Sequence, residues 1–126
     1  MSMKNLAGMN WSPPPKLRVS DWADSARQLS SEASSEPGQW ITARAEYQRG
    51  IMDAMNEPDI DTVVIMSSAQ IGKTEILNNM VGYHIDQDPA PILLLQPTIQ
   101  MGEAWSKDRL APMIRDTEAL SDKIRK

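Results

Sequence analysis

Thr62-Val63-Val64-Ile65-Met66-Ser67-Ser68-Ala69-Gln70-Ile71-Gly72-Lys73-Thr74 decides how this chain is read. A β-branched apolar run feeds a turn of small residues that ends in Gly-Lys-Thr. Glu75 to Val81 follows with a helical pattern in which 76, 77, 80, 81 and 84 or 85 form one apolar side. Strand, small-residue loop, lysine and helix start are the elements that hold a nucleotide triphosphate. Loop N–H groups from Ser67 through Gly72 wrap the phosphates, the helix N-terminus adds partial positive charge, and Lys73 reaches the outer phosphates. The Thr74 hydroxyl is the expected ligand for Mg²⁺, a hard cation that keeps most of its waters. A strict phosphate-loop pattern has glycine where Ser67 stands. The alternative is an ordinary helix start with a surface lysine, and the upstream apolar run argues against it.

A second apolar run, Ile92-Leu93-Leu94-Leu95-Gln96, lies beyond the turn Asp86 to Pro91. Its unbroken apolar character suits a buried parallel strand. Strand, loop, helix and strand make a right-handed βαβ unit, so the fold class is α/β with a parallel sheet. Gln100 to Arg115 is expected as helix, with Trp105, Met101 and Leu110 inward. Upstream, Ser20 is the expected N-cap of a helix over Asp21 to Leu29, its face made of Trp22, Ala26 and Leu29. Trp22 reads as a packing anchor. Ser30 to Gly38 reads as polar loop, and Ala43 to Met55 as a helix aligned on Tyr47, Ile51 and Met55, closed by Pro58. Met1 to Arg18, with Pro13-Pro14-Pro15, reads as an extended basic arm, either a tail or a docking arm for a partner.

Composition excludes several classes. The 126 residues carry a formal net charge of −4, which does not suit a clamp that holds nucleic acid by bulk charge. Cysteine is absent, which excludes disulfides and thiol catalysis, and the single histidine, His84, cannot build a histidine metal site or a serine–histidine triad. No signal-peptide core or membrane-length apolar run is present, so no membrane partner is expected and a soluble cytoplasmic protein is the expectation. Asp53, Asp59 and Asp61 read as solvated charges with no metal role.

Two further segments sharpen the nucleotide reading. Tyr47-Gln48 lies some 20 residues before the loop, where many ATP-driven nucleic-acid motors read adenine. The glutamine amide matches the N6 donor and N7 acceptor of the base, and an aromatic ring stacks on it. The bland alternative is a core Tyr47 and a solvated Gln48. Gln96-Pro97-Thr98 sits where such motors turn into a helix that touches nucleic-acid backbone. Thr98 is then either a phosphate donor or simply the N-cap of that helix.

Taken with Val19 to Asp24, Glu36 to Trp40, Gly50 to Ala54, Gly82-Tyr83, Ile85 to Pro89 and Glu103 to Met113, these segments resemble the terminase large subunit of lambda-type tailed phages. The likeness runs over about residues 17 to 118. It implies the N-terminal part of an additional-strand P-loop ATPase domain of the RecA and helicase kind, preceded by a helical lead-in. The implied organisation is an arm over 1–18, the lead-in with the adenine element over 19–57, and the ATPase portion over 58–126. The resemblance implies ATP and Mg²⁺ as cofactors, double-stranded viral DNA as the cargo packaged into procapsids, and the bacterial host cytoplasm as location. The partners it implies are the small terminase subunit, on the side of the arm, and the procapsid portal, through a C-terminal part absent from this sequence.

An ATPase of this class also needs an Asp-Glu pair on a later strand, to organise Mg²⁺ and polarise water. No such strand follows Thr98, and no nuclease domain is present. The parallel sheet is therefore expected to be incomplete, the chain to be a fragment or prophage remnant, and hydrolysis to be weak or absent. Two other classes fit less of the sequence: a non-enzymatic module that docks the small subunit, and a fragment of a helicase-like ATPase.

Overall fold

The fold was described from a computed structural model, over residues 16–32, 34–68 and 72–124. The Pro13-Pro14-Pro15 arm up to residue 15 and loop residues Ala69, Gln70 and Ile71 lie outside the described residues.

Helix α1 (Val19–Ala26) leads into a two-residue strand β1 (Gln28–Leu29), which pairs antiparallel with β2 (Gly38–Gln39). A 3-10 turn (Thr42–Ala45), α2 (Tyr47–Asp53) and a second 3-10 turn (Ala54–Asn56) follow. Helix α3 (Lys73–Asp86) is the longest element. The C-terminal helical path runs through α4 (Ile99–Ala104), a π-helical turn (Trp105–Leu110), α5 (Ala111–Asp116) and α6 (Glu118–Ser121). Among the described residues no helix is long and apolar enough to cross a membrane.

The core lies where α1, α2, α5 and α6 meet α3. Trp22, Met52, Ile76, Tyr83, Met113 and Leu120 are its large buried side chains. Trp22 is the anchor expected from sequence: it is 1% exposed and its Nε1 donates to Asp86 Oδ2 at 2.9 Å. Its ring lies against Gly82, where a Cβ would come within 2.5 Å of the indole, so only glycine lets α1 and α3 approach this closely.

Helix α1 begins differently from expectation. It starts at Val19, not after a Ser20 cap, and ends at Ala26 before Leu29. Asp53 at the end of α2 and Asn56 in the 3-10 turn after it satisfy the first donors of α1. The Val19 N–H donates to Asn56 Oδ1 at 2.9 Å, and Asp53 accepts from both the N–H and the hydroxyl of Ser20. Asp53 is thus a cap acting across two helices, not a solvated charge. The expected helix over Ala43 to Met55 is broken into a 3-10 turn, α2 and a further 3-10 turn. Its inward stripe is Gln48 and Met52, while Tyr47 and Met55 face outward.

The clearest departure concerns the sheet. Residues 61–68 and 91–96 carry no strand ladder among the described residues, so neither the parallel sheet nor the βαβ unit forms. Both stretches instead lay one face on α3. Val63, Ile65 and Leu94 line an apolar hollow of about 270 Å³ with Leu77, Val81 and His84. Their other faces are bare, with Val64 83%, Met66 95% and Leu95 81% exposed, while Leu93, at the rim of the hollow, is 82% exposed. Backbone donors without a neighbouring strand have nothing to build a ladder on, and such apolar runs are an association hazard. Replacing Met66 and Leu93 together by lysine should reduce self-association in light scattering and leave the unfolding temperature within about 2 °C, because exposed substitutions rarely shift stability much. A large fall in unfolding temperature would show that these faces are packed.

The C-terminal helix spans the expected residues but not as one α-helix. Pro112 lacks the N–H that would bond the Asp108 carbonyl, and the preceding segment takes π geometry, with Ala111 N–H donating to Ser106 O five residues back. Trp105 and Leu110 turn inward as expected, whereas Met101 is 51% exposed.

Candidate functional site

The loop expected to bind phosphate is described on both sides of residues 69–71. Gly72 is the N-cap of α3 with φ 87° and ψ 23°, in the left-handed region that a glycine adopts at little cost. Lys73 and Thr74 open the helix, Lys73 half-buried and Thr74 exposed. None of the ion pairs among the described residues involves Lys73. Ser67 is half-buried and Ser68 exposed at the entry to the loop. The helix start thus presents N–H groups, a lysine and a hydroxyl together, a donor set that fits a phosphate with Mg²⁺.

Gln48 is brought directly behind this loop. A Cβ on Gly72 would lie 2.6 Å from Gln48 Nε2, and the Gln48 side chain is 4% exposed. Tyr47 is 56% exposed. The bland reading of this pair, core tyrosine and solvated glutamine, is therefore reversed. Gln48 and Gly72 share the wall of a cavity of about 230 Å³ with Trp40, Ile41, Arg44 and Ala45. Tyr47 is not in that lining.

A second groove, of about 320 Å³, opens on the other element of the site. Thr74, Gln96, Trp105, Asp108 and Arg109 line it. Thr98 is not in this lining. It caps α4, accepting from the Met101 N–H at 3.1 Å, which is the simpler of its two expected roles. Its hydroxyl proton remains a donor. A wider concavity of about 650 Å³, lined by Ser25, Gln28, Asp116, Glu118 and Asp122, has neither Gly72 nor Lys73 in its lining.

A buried polar network, which periodicity did not reveal, holds the first turns of α3. Arg27 is 2% exposed and donates to Glu75 Oε2 at 2.7 Å and Asn79 Oδ1 at 2.6 Å. Burial pushes the Arg27 guanidinium below its usual range, and the Glu75 charge opposes that shift. Asn79 Nδ2 donates to Met52 Sδ, and Asn78 Oδ1 accepts from Trp105 Nε1 at 2.9 Å. Two asparagines thus tie α3 to the lead-in on one side and to the π turn on the other. A weak signal existed in the sequence: Asn78-Asn79 interrupts an otherwise apolar stretch.

A helix that begins at a left-handed glycine with lysine and threonine, backed by a buried glutamine, is an arrangement that could hold a phosphate group. Over residues 34–126 the chain matches the family described as phage terminase large subunit gpA, ATPase domain, and it belongs to that family. It is 36% identical over 107 residues to the terminase large subunit of Enterobacteria phage P21, covering 85% of this chain and 16% of that protein. Against the terminase large subunit of Escherichia phage lambda the identity is 32% over 108 residues, 86% of this chain and 16% of the relative. The chain therefore spans about a sixth of the length of these relatives. No solved structure matches it.

Proposed function

We propose that this chain is the nucleotide-binding front of a packaging motor that moves double-stranded viral DNA into procapsids. The observation that carries the reading is the contact of Gln48 with the left-handed Gly72 that starts α3. It joins an adenine-reading amide to a phosphate loop in one rigid piece. In this reading the backbone from Ser67 through Gly72, Ala69, Gln70 and Ile71 included, wraps the phosphates of ATP. Lys73 draws the outer phosphates by charge, and Thr74 holds Mg²⁺ through its hydroxyl. Bound Mg²⁺ supplies charge neutralisation between phosphate oxygens. Gln48 reads the adenine edge, and the exposed ring of Tyr47 stacks on the base. Thr98 offers its hydroxyl to a DNA phosphate while capping α4.

The proposed organisation keeps an arm at 1–18 for the small terminase subunit, the lead-in at 19–57 and the ATPase portion at 58–126, acting in the host cytoplasm. The procapsid portal is a further proposed partner of the motor. Hydrolysis is proposed to be weak in this stretch alone, since the described residues place no carboxylate pair on a strand end beside Thr74. Steady turnover lost in Lys73→Ala would contradict that.

Calorimetric titration with Mg-ATP and Mg-GTP tests the reading. ATP should bind more tightly, and Gln48→Ala should remove at least about tenfold of the preference, as loss of a paired amide predicts. Equal affinity for both nucleotides in the native chain would remove the adenine role. No binding of either would sink the nucleotide reading.

A further inference from the structure

Two grooves meet at Gln96. One, of about 320 Å³, has Thr74 in its wall, and the other, of about 450 Å³, has Pro97, Thr98 and Ile99. Gln96 and Trp105 are the two residues that line both. Trp105 has already placed its single side-chain donor, because Nε1 bonds Asn78 Oδ1 at 2.9 Å. Gln96 is half-buried, and its amide makes no hydrogen bond to another described residue. An unengaged carboxamide, with its donors and its acceptor oxygen, thus stands between the proposed Mg²⁺ ligand and the proposed DNA contact.

The backbone beside Gln96 leads straight into α4. Pro97 follows it, and Thr98 caps the helix: the Met101 and Gly102 N–H groups donate to the hydroxyl and carbonyl oxygens of Thr98, each at 3.1 Å. Gln96 Cβ also lies 3.9 Å from the place a Cβ on Gly102 would take, so its stem runs alongside α4. The Asp108 carboxylate lines the Thr74 groove as well, but it has no part in the groove of Thr98. Among these polar groups Gln96 alone touches both sides with its head unengaged.

We propose that Gln96 is a positioning residue that couples the nucleotide to α4: its amide oxygen accepts from a water of the Mg²⁺ held at Thr74, and this fixes the Pro97-Thr98 turn. This rests on the nucleotide reading above. Mg²⁺ keeps several of its waters, and a neutral amide oxygen accepts from one without bringing another charge to the loop. Gln96 held at its head is continuous with Thr98 through one proline, so the start of α4 has less room to open. The helix start that carries Thr98 is therefore firmer when Mg-nucleotide is loaded.

Hydrogen–deuterium exchange of the full chain tests this, without ligand, with ATP and a chelator, and with Mg-ATP, on the native protein, Gln96→Leu and Gln96→Glu. In the native chain Mg-ATP should slow exchange in the first turns of α3. It should also slow α4, Ile99–Ala104, by about two- to tenfold, the range for one neutral hydrogen bond. ATP without metal should leave α4 unchanged. Gln96→Leu keeps the volume beside Gly102 and lacks the acceptor, so the slowing should persist in α3 and vanish in α4. Gln96→Glu keeps an acceptor at the same reach and should retain it. A residue that merely supports the fold would speed exchange in α4 with or without nucleotide. Slowing of α4 that survives in Gln96→Leu, or that needs no metal, overturns the proposal. If Gln96→Leu does not fold, Gln96→Glu decides, and loss of the slowing there overturns it. A native chain with no protection of α3 by Mg-ATP refutes the nucleotide reading itself, whereas protection of α3 alone refutes only the role of Gln96.

Discussion

Trp22→Ala is expected to abolish the cooperative unfolding transition. The indole is the largest fully buried side chain and lies flat on Gly82, so its removal leaves a hole between α1 and α3 that two helices cannot close. Truncating a buried tryptophan costs about 3–5 kcal/mol, against a total of about 5–15 kcal/mol for a typical domain. The cost falls on a core that already leaves Val64, Met66, Leu93 and Leu95 in water. The bond to Asp86 is lost as well, which leaves that carboxylate to Gln87 and Lys123 alone. Trp22→Phe should be intermediate: it keeps most of the ring volume and loses only that bond. Thermal unfolding followed by circular dichroism distinguishes the three proteins. An alanine variant that melts within about 2 °C of the native chain would mean that the α1–α3 contact contributes little.

Gly72→Ala should remove nucleotide binding while costing less stability. Alanine at φ 87° is worth about 1–2 kcal/mol of strain. The new Cβ also meets Gln48 Nε2 at 2.6 Å, closer than van der Waals contact allows. Either Gln48 leaves its buried place or the loop turns away, and both outcomes disperse the donors that converge on the phosphates. Affinity for Mg-ATP should fall by at least about tenfold, with a modest drop in unfolding temperature. Adding Gln48→Ala relieves the clash but not the backbone strain, so the double variant should recover stability without recovering binding. Full ATP affinity in Gly72→Ala would contradict the proposed loop geometry.

These effects show which features the sequence could disclose. Helix α3 was legible because Gly72-Lys73-Thr74 marks its start and Ile76 and Met80 repeat at helical spacing, but its buried face runs on to Tyr83 instead of 84 or 85 and leaves Leu77 41% exposed. Trp22 was legible as an anchor because a lone tryptophan among small residues has few other uses. The two apolar runs were legible as buried-type segments but not as unpaired ones. Whether residues 62–66 and 92–96 form a sheet depends on neighbouring strands, and these residues cannot supply them to each other while α3 lies against only one of their faces. The β1–β2 pair escaped notice because two-residue strands have no period. Contacts such as Trp40 N–H to Arg27 O and Gln28 Nε2 to Gln39 Oε1 create it.

The site was read in the same uneven way. Its lysine and threonine follow from a local motif, and Gln48 from its distance to that motif. Arg27 is different. An arginine becomes a core residue only when partners 48 and 52 positions later, Glu75 and Asn79, accept its hydrogens. Asp53 is hidden for the same reason, since its role as a cap exists only once α1 and α2 lie side by side.

The central claim is that Lys73, at the head of α3, holds the phosphates of a nucleotide on a folded chain. Thermal unfolding with and without Mg-ATP, beside Lys73→Ala, tests it most directly. Ligand at a hundred times its dissociation constant adds about 2.7 kcal/mol to a state that alone binds it, a rise on the order of 10 °C for a chain of this size. We expect a cooperative transition that rises with Mg-ATP in the native chain and does not move in Lys73→Ala. The same rise in both proteins, or none in either, would contradict the account.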